Sequence, residues 1–310
     1  MIDVEHTTEQ DLLTPDFLRK IERLSLVAKR AFPGQLRGER RSTKRGSSVE
    51  FADYRNYTIG DDFRRVDWNV YARLEKLFLK LFVEEEDLHV YVLVDASRSM
   101  EFGDPSKLLY AKRIAAALSY IALGNLDRVG LAALSDGQAS ILTPKRGKQS
   151  AFGVFEWLKS VKPSGATQLA QSMRDFSLRT SRPGLAIVIS DFLEKGDRHL
   201  FPAQEKRCLS PFSALVSRKF EVTMLQVLDA DEVDPPLVGD LMLVDSETND
   251  RREVTITQSL LRRYKQRLAE HCAGIESYCA QYGCNYVRVT NQTPFDDLIL
   301  SYLRQRGTLK

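Results

Sequence analysis

Cysteine and histidine are both scarce, with four of each in 310 residues. Cys208, Cys272, Cys279 and Cys284 form no Cys-x-x-Cys unit, so the paired-thiol patterns of metal and redox sites are missing. Cys272 and Cys279 fall in the series Leu261, Tyr264, Leu268, Cys272, Ile275, Cys279. That three-and-four spacing is the apolar stripe of a helix, where cysteine behaves as a small core residue. His6, His89, His199 and His271 are scattered without ligand spacing. No apolar run reaches the roughly eighteen residues that a membrane helix needs. The first residues, Met-Ile-Asp-Val-Glu-His, are polar and acidic rather than basic then apolar, so cytoplasmic residence is expected. A Gly-x-x-x-x-Gly-Lys-Ser/Thr nucleotide loop is also missing.

What the chain does have is core material and alternation. It is 43% hydrophobic and 28% charged, with a formal net charge of +3. That balance is too small to imply nucleic acid or membrane by itself. Residues 37–45 concentrate five positive charges against one negative. Two readings of this run stay open: a solvated loop, or a surface that meets phosphates or an acidic partner.

Residues 1–36 carry the stripe Leu18, Ile21, Leu24, Ala28, Ala31, a helical pattern that Pro33-Gly34 ends. Residues 37–87 mix aromatics, glycine and charge, with a strand pattern at 76–83. From residue 88 onward, strands alternate with helices, which is the mark of a parallel-sheet α/β domain over 88–310. Asp104-Pro105 can open a helix as N-cap and first-turn proline. Segments 128–134 and 139–143, parted by Asp136-Gly137, read as a hairpin. Helices near 148–161, 168–180 and 203–218, a hairpin at 241–257, and a long helix at 258–281 complete the pattern.

The most informative segment is 90–100, Val-Tyr-Val-Leu-Val-Asp-Ala-Ser-Arg-Ser-Met. An apolar run that fills both faces reads as a buried central strand. It ends in Asp95-x-Ser97-x-Ser99. In open α/β sheets, function gathers outside the carboxyl ends of such strands. One carboxylate and two hydroxyls are hard oxygen ligands, suited to Mg²⁺ or Mn²⁺. Taken alone, the same residues serve as turn formers, since Asp and Ser satisfy local backbone groups.

This pattern resembles the metal-ion-dependent adhesion site of the von Willebrand factor A (vWA) family. The resemblance implies two further pieces, a Thr and an Asp from later loops. Supplied in order, they are Thr167 in Ser-Gly-Ala-Thr-Gln-Leu and Asp191 after the strand at 185–191. Ser97, Ser99 and Thr167 would then hold Mg²⁺ or Mn²⁺, with Asp95 and Asp191 close by, directly or through water. An open position on such an ion attracts a Glu or Asp of a partner protein. Gly165-Ala166 departs from the Gly-Gly often found before that Thr.

A second signature lies upstream. Glu50-Phe51, Tyr54, Gly60-Asp61-Asp62, Arg64-Arg65, Asp67-Trp68 and Ala72-Arg73 form a series that resembles the hallmark of domain-of-unknown-function family 58. These are bacterial proteins with a vWA-like core. Such proteins are often encoded beside MoxR-type AAA+ ATPases, which makes an ATPase of that type the implied partner. Glu50, Asp53, Asp61, Asp62 and Asp67 can pair with Arg55, Arg64, Arg65 and Arg73, because arginine's fork holds carboxylates bidentately. The segment is then either a structural brace or a partner-facing surface at Arg64, Arg65 and Arg73.

The expectation is therefore a vWA-like, Rossmann-like, mostly parallel sheet with helices on both faces, preceded by a strand-rich N-terminal segment. Its expected role is metal-dependent protein–protein interaction as a scaffold or adaptor, not catalysis. Two alternatives belong to other classes. Nucleic-acid binding through 37–45 requires a wider basic face. A Mg-dependent phosphatase would use Asp95 as nucleophile, but such sites resemble Asp-x-Asp, and position 97 is Ser.

Overall fold

The computed structural model of the chain describes residues 12–26, 49–59, 61–84, 88–166, 168–193, 212–237, 239–244, 251–302 and 309. Contacts divide the chain into two units. One comprises Met1–Lys29 with Leu88–Lys310, and the other is Arg30–Asp87.

The N-terminal helix of the larger unit is α1, Pro15–Ile21, with Thr14 as N-cap. It is shorter than the stripe predicts, because the chain leaves the helix at Glu22 and Leu26 pairs in a bridge with Leu309. Phe17 packs on Phe295 at 4.9 Å, and Lys20 bonds Asp296 at 2.8 Å. Tertiary contact overrides helical periodicity there. Ala28, Ala31 and the basic run 37–45 lie outside the described residues.

The smaller unit is an antiparallel pair, β1 (Val49–Asn56) with β2 (Phe78–Glu84), joined through a short helix α2 (Trp68–Leu74). Asp67 caps α2 by accepting from the Asn69 and Val70 amides at 3.0 and 3.4 Å. Its second oxygen accepts the Tyr54 hydroxyl at 2.8 Å. Of the mixed-sign network expected here, Arg55–Asp61 is an ion pair at 2.8 Å. Asp62 caps the Arg64 amide instead of pairing with a guanidinium.

The sheet of the larger unit begins with β3 (His89–Asp95), followed by α3 (Lys107–Gly124), β4 (Arg128–Ser135) and β5 (Gln138–Arg146). Next come α4 (Ala151–Ser160), α5 (Leu169–Arg179), β6 (Leu185–Ser190) and α6 (Ser213–Ser217). Then β7 (Glu221–Leu228), α7 (Ala230–Val233), and the hairpin β8 (Gly239–Val244) with β9 (Arg251–Ile256). Finally, α8 (Gln258–Tyr282) leads into β10 (Asn285–Thr290).

Six strands form one sheet in the order β10-β7-β6-β3-β4-β5. All neighbours are parallel except β4 and β5. Their antiparallel turn at Asp136 (φ 47) and Gly137 (φ 72) uses two positive-φ residues, which suits the right-handed twist of a hairpin. The expected vWA-like α/β sheet is what the chain builds. At its centre, β6 starts so close to β3 that a Cβ on Gly184 would overlap the His89 backbone oxygen.

Alternation of side chains across the strands sends them to two cores. On one face, Tyr91, Leu93, Ala186, Val188 and Met224 meet Phe176 of α5, Leu215 of α6 and Ile275 of α8. Tyr91 and Phe176 pack edge to face at 5.5 Å, worth about 1 kcal/mol beyond burial. α3 contacts β3 and α4, and its Ile114, Leu118 and Ile121 are buried. Each such side chain stabilises the fold by roughly 1.5–3 kcal/mol.

Two local expectations are corrected. The α3 N-cap is Ser106, whose Oγ accepts the Leu109 amide at 3.2 Å, and not Asp104. The hydroxyl reaches the N3 amide only from the residue directly before the helix. In α8 the stripe is half right: Cys272, Ile275 and Cys279 are buried, but Tyr264 is exposed. Within the helical stretch predicted at 203–218, α6 covers only Ser213–Ser217, and residues 203–211 lie outside the described residues. Among the described residues, no helix is long and apolar enough to cross a membrane.

Candidate functional site

In the strand order, the chain turns from one half of the sheet to the other between β3 and β6. β3 runs on to β4 and β5 on one side, and β6 runs on to β7 and β10 on the other. The connections therefore leave the sheet on opposite sides at the carboxyl ends of these two strands, the place where open α/β sheets gather function. Asp95 closes β3 and Asp191 follows β6. Residues 96 apart in sequence are neighbours only because those strands pair.

The Asp95 side chain is buried at 1% exposure. Its Oδ1 accepts the Ser97 amide at 2.9 Å, and its Oδ2 accepts the Ser190 hydroxyl at 2.6 Å. Burial and the charge of Asp191 push the carboxyl up to about 6, against the lowering effect of the two serines. The carboxylate is thus held dry and poorly compensated, which favours arrival of a cation. Ser97 Oγ and Ser99 Oγ share a hydrogen bond at 3.1 Å. Two oxygens on adjacent corners of a Mg²⁺ octahedron with bonds of 2.0–2.1 Å lie about 3 Å apart. The hydroxyl pair therefore fits that geometry, with Asp95 behind it.

The loop carrying the third expected ligand comes to the same place. The Ser164 amide donates to Ala96 O at 2.8 Å, and the Arg98 amide to Gly165 O at 3.2 Å. Asp136 Oδ1 accepts the Ala166 amide at 2.7 Å. Residues 164–166 are thereby pinned against the Asp95 loop. Thr167 itself lies outside the described residues.

Asp191 has partners of its own within the chain. Its Oδ2 accepts the Lys107 ammonium at 2.7 Å, and its Oδ1 the Leu193 amide at 2.9 Å. Lys107 also donates to Glu232 Oε1 at 2.5 Å. Glu232 Oε2 accepts the Asp229 amide at 2.8 Å in a capping box. Burial works to lower the Lys107 ammonium, but the two carboxylates outweigh it and hold it above its ordinary value. Burial raises the Glu232 carboxyl.

Sequence reasoning missed Lys107, Ser190 and Glu232. Lys107 had a signal: it lies on the apolar stripe with Ala111, Ala115 and Leu118 at helical spacing. A lysine on the buried stripe calls for a carboxylate partner.

The other expected residues fall elsewhere. Arg64 and Arg73 are exposed in the smaller unit, and the Arg65 side chain lies outside what the structure describes. His271 donates to Phe192 O at 3.0 Å, and His89 stacks on Tyr91. His6, His199 and Cys208 lie outside the described residues. Among the described residues, no three His, Cys, Asp or Glu side chains gather as a metal cluster. A cavity of about 450 Å³ lies beside α8, lined in part by Leu228, Val233, Leu268, Cys272, Val289 and Thr290.

The fold is a mostly parallel, vWA-like α/β sheet flanked by helices. A family model described as "Protein of unknown function DUF58" matches residues 53–274, and the chain belongs to that family. It is 30% identical over 309 residues to an uncharacterized protein of Mycobacterium tuberculosis (strain ATCC 25618 / H37Rv), covering 96% of this chain and 93% of that relative. An uncharacterized protein of Mycobacterium avium is 31% identical over 130 residues, covering 41% of this chain and 70% of the relative. Among solved structures, the conserved hypothetical protein BatB of Bacteroides thetaiotaomicron is similar at TM-score 0.42 and 19% identity. The match covers 71% of this chain and 98% of BatB. The manganese-loaded Plasmodium vivax TRAP protein overlaps at TM-score 0.35 and 15% identity, with 73% and 75% covered.

Proposed function

We propose that the chain is a metal-dependent protein–protein interaction module, a scaffold or adaptor rather than an enzyme. The observation that carries this reading is the Ser97–Ser99 hydroxyl pair, 3.1 Å apart, in front of a buried Asp95 at the switch point of the sheet. Ser97, Ser99 and Thr167 would hold Mg²⁺ or Mn²⁺, with Asp95 behind them. When bound, such an ion supplies an open coordination position for a Glu or Asp side chain of a partner. The residues of the chain do the rest. Ser190 and the Ser97 amide fix the orientation of Asp95, and Asp136 holds the 164–166 loop against it.

Phosphatase chemistry finds less support. A second carboxylate as acid and base is needed beside the nucleophile, and the residue in that position is Ser97. Asp95 already accepts two hydrogen bonds as the buried end of a strand. The family resemblance points to a MoxR-type AAA+ ATPase as the working partner. Arg64, Arg65 and Arg73 are the residues of the smaller unit proposed to face it.

Affinity capture from native cell extract tests the reading, with wild type compared with Ser97→Ala/Ser99→Ala in Mg²⁺ and in EDTA. The expected result is a MoxR-type ATPase held by wild type in Mg²⁺ and lost in EDTA and in the folded variant. Equal capture in all cases overturns it. Capture that survives EDTA but falls steeply with salt moves the function to the basic run 37–45 and nucleic acid.

A further inference from the structure

Lys107 opens α3, yet its side chain is fully buried at 0% exposure. A buried ammonium is tolerated only with charged partners in good geometry. Lys107 has two, from separate elements: Asp191 after β6 at 2.7 Å and Glu232 in α7 at 2.5 Å. Glu232 is itself anchored by the Asp229 amide. Asp229 in turn accepts from Asn291 Nδ2 at 2.5 Å. The ammonium is therefore held in place by a chain of bonds that reaches the end of β10.

The consequence concerns the hydroxyl pair. Asp191 sits near Asp95, close enough for its charge to raise the Asp95 carboxyl. Without Lys107, both carboxylates would attract an incoming dication. With Lys107, the negative charge of Asp191 is already matched at hydrogen-bond distance, and the fully buried lysine is held between two carboxylates. Among the described residues, Asp95 is left as the carboxylate of this pair without a cationic partner in contact.

We propose that Lys107 is a positioning residue that acts as a permanent internal counter-cation to Asp191. It keeps the site weak for the bare ion, and it leaves a bound dication with surplus positive charge toward solvent. That surplus selects an acidic group on the partner. The inference rests on the metal-dependent reading of Ser97 and Ser99 and adds what sets the strength and selectivity of that site.

The test is Mn²⁺ binding to the full chain, followed by the electron paramagnetic resonance of free Mn²⁺, with thermal unfolding in EDTA and in Mn²⁺ alongside. Lys107→Met is expected to bind Mn²⁺ at least tenfold more tightly than wild type and to gain more thermal stability from it. Glu232→Gln keeps the Lys107–Asp191 pair and is expected to bind no more tightly than wild type. Lys107→Met leaves two carboxylates, the buried Asp191 and the partly buried Glu232, without their cation and can fail to fold. The double variant Lys107→Met/Glu232→Gln leaves one, and it carries the same comparison. A folded Lys107→Met or double variant with wild-type or weaker Mn²⁺ affinity overturns the proposal, while wild-type binding that disappears in Ser97→Ala/Ser99→Ala leaves the metal site standing. Wild-type binding that Ser97→Ala/Ser99→Ala does not reduce overturns both.

Discussion

Asp95→Asn should stabilise the metal-free protein at neutral pH, against the usual rule that changing a buried, hydrogen-bonded residue destabilises. Asn keeps an oxygen for the Ser97 amide, and its NH₂ can donate to Ser190 Oγ, which already accepts the Phe192 amide, so contact is kept on both sides while the Ser190 hydroxyl gives up its acceptor. What disappears is a buried charge. The folded state holds the Asp95 carboxyl at about 6 against an ordinary 3.8, so folding favours the protonated form. Stability from this group is fully present below about pH 4 and is lost as pH rises to about 6. At about 1.4 kcal/mol for each pH unit, the ionised group weighs on the order of 3 kcal/mol against the fold above that range. Relaxation reduces this, and a gain in Tm on the order of 5 °C is expected for the variant. Thermal unfolding in EDTA from pH 4 to pH 8 is the assay. The two Tm curves should coincide near pH 4, separate as pH climbs to about 6, and run parallel above. Adding Mn²⁺ should reverse the order, because wild type at a thousandfold excess over Kd gains about 4.1 kcal/mol and the variant does not. A variant that is less stable by a constant amount at every pH would refute the reasoning, since that is the signature of damaged packing.

Gly103→Ala should cost about 2–4 kcal/mol, because φ is +98° and the new Cβ would collide with Asp229 Oδ2 and Asn291 Nδ2. Circular dichroism melting checks this, and an unchanged Tm would count against the packing described there. Phe176→Ala removes a fully buried ring that packs on Tyr91 and Phe220. A loss of about 3–5 kcal/mol is expected, and a urea midpoint within error of wild type would contradict it. Arg64→Glu/Arg73→Glu changes exposed side chains, so Tm should stay within about 1 °C while capture of the ATPase partner weakens. Unchanged capture would remove the proposed role of those arginines.

Much of this architecture is written locally. The alternation of strand and helix after residue 88, the hairpin at Asp136-Gly137 and the span of α8 all follow from side-chain period and turn chemistry. These act over a few residues and need no knowledge of the rest of the chain. Asp95, Ser97 and Ser99 were legible for the same reason, since three polar groups within five residues follow a fully apolar strand. Where local pattern misled, a distant contact had overridden it. Leu24 and Leu26 leave the expected helix because Leu26 pairs with Leu309.

The electrostatics of the site belong to the tertiary structure. Strand order puts Ser190 on Asp95, and helix packing at the strand ends puts Lys107 between Asp191 and Glu232, partners separated by 95, 84 and 125 positions in sequence. No periodicity encodes which strand lies beside which, so neither the raised Asp95 carboxyl nor its cationless setting could be read along the chain. A lysine on an apolar stripe announces that a carboxylate must meet it. Only the packing that brings the segment after β6 and helix α7 against the start of α3 decides which carboxylates those are.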